Sequence, residues 1–240
     1  YGFQVEDRTR RLMASAVEGG LVCCVSPQRL GAEMRKILAE EQVLPMLQML
    51  ADFGLLRAIH WALGEIDWAL LRGVPSSLRA LHLPCHGFAY LAGILFHQPL
   101  EAATEAAERL ALSGAEQRKL RALLANWRFA LWCLHWPNLR PSTIYDVLST
   151  LPEEGLALLW AYSGASPIRE RLIAYRERLS KVELSITGSD LVALGYRPGP
   201  SFGKVLRKVL RAKLDEEVAT REDELSLADR LMGQLTKEDP

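Results

Sequence analysis

Residues 186–211 read Ile-Thr-Gly-Ser-Asp-Leu-Val-Ala-Leu-Gly-Tyr-Arg-Pro-Gly-Pro-Ser-Phe-Gly-Lys-Val-Leu-Arg-Lys-Val-Leu-Arg. The pattern predicts a short apolar helix from about Ser189 to Leu194 that is stopped by Gly195. A Pro198-Gly199-Pro200 turn follows, and then a second helix beginning near Ser201. Pro200 suits the first turn because its missing N–H would have no intrahelical partner and its fixed φ is already helical. Gly199 is free to take a positive φ, and Gly203 lets another surface come close to the backbone. The free N–H groups of the second helix and its dipole favour an anion at the turn. Val205, Leu206, Val209 and Leu210 anchor that helix, while Lys204, Arg207, Lys208 and Arg211 line its other side. Two readings stand: a surface that tracks phosphates, or a capped hairpin of helices with a solvated charged face.

Working outward, almost every segment shows helical periodicity punctuated by Gly, Pro and Ser, with no run of alternating β-branched residues. The fold class is therefore all-α, an elongated multi-helix array. A first helix from about Glu6 to Val17 turns Leu12 and Ala16 inward. Ser26 caps the next, which has Pro27 at its first position and an apolar stripe of Leu30, Met34, Ile37 and Leu38. A helix from Gln42 to Phe53 closes on Gly54. Residues 57–100 are the least readable, apart from a buried helix around Leu91–Leu95. Ser113 and Glu116 form a capping box that opens a helix with Leu120, Leu123, Leu124, Trp127 and Leu131 on one side. Pro137 and Pro141 mark a soft boundary. Ser142, Pro152 and Ser166-Pro167 then start further helices, the last with Ile168, Leu172, Tyr175 and Leu179 inward.

The formal charge is zero over 240 residues, so no overall basic field advertises a nucleic-acid partner. The distribution says more: residues 165–213 carry eleven Lys and Arg against four acids, and residues 214–240 carry nine acids against three bases. Cys23, Cys24, Cys85 and Cys133 form no CxxC pair and no signal peptide precedes them, which points to a reduced, cytoplasmic protein. The longest apolar run, Phe88–Phe96, is about half the ~20 residues a membrane span needs, so no membrane partner is expected. The chain opens on Tyr1 rather than Met, in what reads as the middle of a helical protein, and we expect a fragment.

The pattern Gly188-x-Asp190-Leu191-x-x-x-Gly195-x-x-Pro198-Gly199-Pro200-x-x-Gly203 resembles the tail of bacterial-type tRNA nucleotidyltransferases, the CCA-adding and A-adding enzymes of the poly(A) polymerase-like family. Ser26-Pro27-Gln28-Arg29-Leu30-x-x-Glu33-Met34 is similar to that family's neck helix, although Gln28 stands where the family commonly has Glu. Arg29 and Glu33, at i and i+4, match a pair that would buttress the nucleotide-selecting neck. Taken alone they make an ordinary helix-surface ion pair. The resemblance implies a neck over residues 1–56, a body over 57–140 and a tail over 141–240, with Arg197, Ser201, Lys204, Arg207, Lys208 and Arg211 as RNA-binding residues. It implies tRNA as the partner, held by its phosphates and shape. Glu6-Asp7-Arg8-Thr9-Arg10 spells the family's nucleotide-templating motif. The register of Tyr1-Gly2-Phe3 and Thr9 makes that match a coincidence, and the true motif is expected before Tyr1.

Nucleotidyl transfer in this family needs an Asp-x-Asp pair on a strand to hold two metal ions. No Asp-x-Asp occurs in the sequence. We therefore expect the N-terminal catalytic head to be missing, no catalytic or metal-ligating residue here, and no cofactor in this fragment. Mg2+ and CTP or ATP belong to the full-length enzyme. His82-x-x-Cys85-His86 has metal-like residue types but no further ligands within reach. The six tryptophans mostly sit among Leu and Ala at core spacing, Trp136 being the one expected outside. Two alternatives remain, the RNA-binding part of a poly(A) polymerase and a helical scaffold that binds protein. The residues do not separate CCA addition from A addition, nor fix the oligomeric state.

Overall fold

The computed structural model describes residues 5–84, 87–164 and 167–238, with side chains through residue 235. Among the described residues there are fourteen α-helices and no strand, as the periodicity predicts. In chain order they are α1 (Asp7–Glu18), α2 (Pro27–Leu38), α3 (Val43–Asp52), α4 (Leu55–Ile59), α5 (Trp68–Ala80), α6 (Gly87–Ile94) and α7 (Leu100–Arg109). They continue as α8 (Gly114–Cys133), α9 (Pro141–Leu148), α10 (Glu153–Ser163), α11 (Pro167–Glu177), α12 (Gly188–Ala193), α13 (Pro200–Leu214) and α14 (Arg221–Glu238). The chain forms two compact units that interleave along the sequence: residues 1–131 with 150–166, and residues 132–149 with 167–240.

In the first unit, α10 packs along α5 and α6, and Leu70, Leu71, Ala89, Leu156 and Leu158 are all buried. Near-complete burial of a leucine side chain contributes about 1.5–3 kcal/mol, so this layer carries much of the unit's stability. Phe96 stacks on Trp127 with ring centroids 4.3 Å apart, and His97 and Tyr162 complete an aromatic cluster around them. The predicted capping box starts α8: the Ser113 N–H donates to Glu116 (2.7 Å) and the Glu116 N–H donates to Ser113 Oγ (3.3 Å). From α8, Lys119 reaches the buried Glu154 in the first turn of α10 (2.7 Å). A glycine allows α2 to approach α7, because any Cβ at Gly31 would overlap the Leu110 carbonyl.

Two expectations fail in this unit, at Leu12 and at Trp61. Leu12, placed inward by periodicity, is 63% exposed, since α1 has no buried residue. Cys23 and Cys24 are both exposed. They sit on a 3-10 turn whose carbonyls are held by the Arg109 guanidinium, with bonds of 2.9 Å to Val22 and Val25. Trp61 is also exposed, as is Trp132 in the second unit, where it meets Trp136 edge-on at 5.2 Å. Of the candidate metal cluster, Cys85 and His86 lie outside the described residues. Among those described, no group of three or more His, Cys, Asp or Glu is arranged to hold a metal ion. No described helix is long and apolar enough to cross a membrane.

The second unit is built around Ile186, Leu191, Phe202, Val205, Val209, Ala228 and Met232, contributed by α12, α13, α14 and the approach to α12. At the start of α9, Ser142 gives both its N–H and its hydroxyl to Asp215 (2.8 and 2.7 Å). A carboxylate at a helix N-terminus is favoured by the dipole and by the free N–H groups there.

Candidate nucleic-acid interface

The turn between α12 and α13 is fixed at both ends. Thr187 and Asp190 form a capping box, so α12 begins at Gly188, one residue before the predicted start. The Thr187 N–H donates to Asp190 at 2.7 Å, and the Arg221 guanidinium from α14 donates to the other carboxylate oxygen. These bonds, led by the Thr187 N–H and assisted by Arg221, hold the Asp190 carboxyl below its ordinary value. At the far end, Gly195 stops the helix as expected, at φ 95°, with its N–H bonded to Val192 O (2.9 Å) and the Tyr196 N–H bonded to Leu191 O (3.2 Å). That pair of bonds is the Schellman stop. Tyr196 then donates its hydroxyl to Asp229 on α14 (2.8 Å), a bond that raises its pKa.

Pro200 occupies the first position of α13, as predicted. Gly199 does not use a positive φ: at −175° it is extended, a conformation open to any residue. Gly203 is exposed, and a Cβ there would meet no other atom within 4 Å, so the backbone at this point is open to an approaching surface. Val205 and Val209 are buried, with Leu206 and Leu210 partly so. Lys204, Arg207, Lys208 and Arg211 are exposed and, at ~100° per residue, share about a third of the helix circumference. Arg197 is exposed in the turn, and Ser201 is half-buried at its edge.

The stripe is not uniform. Asp146 on α9 accepts from both Arg207 (3.3 Å) and Arg211 (2.6 Å), so two of the four bases share one carboxylate. Lys204, Lys208 and Arg197 have no carboxylate partner among the described residues. Behind the stripe, Lys213 pairs at 2.6 Å with Glu224, which is fully buried and also accepts from the Ser185 N–H (2.8 Å). This contact ties α13, α14 and the approach to α12 together. Asp146 is some sixty residues from its partners, and nothing in the local pattern marks it. By contrast, Thr187-x-x-Asp190 is a readable capping signature that the helix start at Ser189 passed over.

In the first unit, Arg29 and Glu33 are both exposed on α2, and Glu33 pairs with Lys36 at 2.9 Å instead of with Arg29. The residues that spell the templating motif open α1, where the Arg10 guanidinium lies 5.8 Å over the Phe53 ring.

Comparisons with known proteins agree with one another. Residues 2–63 match the family described as the probable RNA and SrmB-binding site of polymerase A. The chain is 28% identical to an A-adding tRNA nucleotidyltransferase of Geobacter sulfurreducens over 96% of its own length, but spans only 28% of that relative. The Thermotoga maritima CCA-adding enzyme complexed with tRNA has the same fold (TM-score 0.71, 24% identity), matching 98% of this chain and 58% of that one. A CCA-adding enzyme in complex with CTP is similar at 25% identity (TM-score 0.73), again over 98% of this chain and 57% of the other. Along nearly its whole length the chain thus resembles part of tRNA nucleotidyltransferases, and residues 2–63 are similar to the probable RNA-binding site of polymerase A.

Proposed function

We propose that this chain is the part of a tRNA nucleotidyltransferase that binds and positions tRNA while another part of the enzyme adds CCA or the terminal A to the 3′ end. Residues 1–56 act as neck, 57–140 as body and 141–240 as tail. Arg29 and Glu33 support the neck. Arg197, Ser201, Lys204, Arg207, Lys208 and Arg211 contact the RNA backbone. The observation that carries this reading is the α12–α13 hairpin: a backbone left open at Gly203 beside an exposed basic stripe, on a helix pinned by Lys213–Glu224. An open backbone flanked by cations suits phosphates, and such contacts read shape rather than sequence.

The two-metal chemistry of nucleotidyl transfer needs paired carboxylates with metal-ligand geometry. The donor sets described here do not provide it, and the sequence has no Asp-x-Asp. On this reading Mg2+ and the nucleotide are held by a catalytic head outside this chain, and the chain assayed alone is expected to add no nucleotide to tRNA.

The test is binding of this chain to a whole tRNA and to an unstructured RNA of equal length across a range of salt. The expected result is a clear preference for tRNA, with log affinity falling linearly in log salt. Equal affinity for both RNAs favours a poly(A) polymerase-like role, and no binding at low salt overturns the reading.

A further inference from the structure

Within the second unit, two guanidiniums one helical turn apart converge on one carboxylate: Arg211 lies 2.6 Å and Arg207 3.3 Å from the two oxygens of Asp146. The bases are 49% and 67% exposed, while the carboxylate is only 18% exposed. Solvent therefore reaches the cations far more readily than the anion they hold. Two arginine forks aimed at one planar, bidentate oxyanion are also the arrangement that grips a phosphate diester. Lys204 and Lys208 on the same face have no such counter-anion among the described residues.

From this geometry we propose that Asp146 is an internal competitor for RNA phosphate, seated between Arg207 and Arg211, which lowers the affinity of the tail and sets how many phosphates it engages. The proposal rests on the RNA-binding reading of the α13 stripe. The mechanism is charge exchange. A phosphate arriving at Arg207 and Arg211 has to displace the Asp146 carboxylate, so those two bases contribute less than Lys204 and Lys208 until the contact breaks. Isolated anions are poorly placed to do this, because Asp146 is held by its own helix at a fixed distance. A backbone that first engages Lys204 and Lys208 delivers its next phosphate at high local concentration and can do it. Asp146 is a positioning and tuning residue here, not one that touches the RNA.

The test uses Asp146→Asn, which keeps the shape and the hydrogen-bonding oxygen but removes the charge. With tRNA as probe, the expected result is about a two- to tenfold gain in affinity, the range that two exposed ion pairs can withhold. The plot of log affinity against log salt should also steepen by about one to two units, because two more cations are free to release counterions. In Asp146→Asn combined with Arg207→Ala and Arg211→Ala, the gain should vanish. Inorganic polyphosphate is the second probe, and the same gain is expected there. Should wild-type protein fail to prefer tRNA over unstructured RNA while Asp146→Asn still binds polyphosphate more tightly, the tRNA reading falls and the competitor stands. Unchanged or weaker binding of both polyanions by Asp146→Asn, with an unchanged salt slope and unchanged thermal stability, overturns the competitor. Weaker binding with lower thermal stability overturns it in favour of a purely structural clamp.

Discussion

Single residues decide how firmly the basic face is presented. Lys213 and Glu224 form a pair in which the carboxylate is fully buried and the lysine only 21% exposed. Replacing Lys213 with Met leaves that carboxylate uncompensated, and the expected loss is on the order of 3 kcal/mol, measured by urea unfolding of the second unit. Arg207→Ala and Arg211→Ala act differently. Both sit on the solvent face of α13, so each should leave the melting temperature nearly unchanged while lowering the salt slope of tRNA binding by about one at most. Asp190 and Asp223 contribute to the acid limit. Each has its carboxyl held below the ordinary value by backbone N–H groups, from Thr187 in one case and Thr220 and Ala219 in the other. Their stabilising contribution is full above the ordinary carboxylate range and is lost as pH falls through the depressed values. Stability measured against pH should therefore fall on acidification, and the fall should be shallower in Asp190→Asn with Asp223→Asn. An unaltered slope in that double variant would assign the acid loss to other carboxylates.

At the scale of elements, the start and stop signals carry the predictions. Gly195 ends α12 with a φ that disfavours a side chain, so Gly195→Ala should cost about 1 kcal/mol by thermal melting and weaken the turn that leads into α13. This scale also shows how much was legible. The Ser113–Glu116 box, the Gly54 and Gly195 stops, and Pro200 at a helix start were all readable, because each depends on residues within a few positions of one another. The apolar stripes of α2, α8 and α13 were readable for the same reason, since 3.6-residue periodicity is a local property. What escaped is long-range. Leu12 obeys the period of an amphipathic helix, yet α1 has no buried residue, and Trp132 has core spacing in the sequence yet lies exposed near the end of α8. The candidate site divides in the same way. Its basic stripe lies along one helix and is visible in the sequence, whereas the carboxylate between Arg207 and Arg211 comes from α9 and has no local signature.

For the molecule as a whole, the interleaving of the two units constrains what can be cut. α10 belongs to the first unit but follows α9 of the second, and it covers α5 and α6. A chain ending at residue 131 exposes the apolar side of both helices and should lose cooperative thermal unfolding, whereas one ending at residue 166 should keep it for the first unit. A sharp transition in the shorter chain would show that α10 is dispensable to that core. The same interleaving bears on synthesis. Ser142 at the head of α9 gives its hydrogen bonds to a residue 73 positions later, so the ribosome makes α9 well before Asp215 exists. At about 5–20 residues per second, that wait is on the order of 4–15 seconds. Through that interval the chain grows on the C-terminal side of α9, which has no partner yet from α13, so the head of the helix stays without its carboxylate until the tail is made.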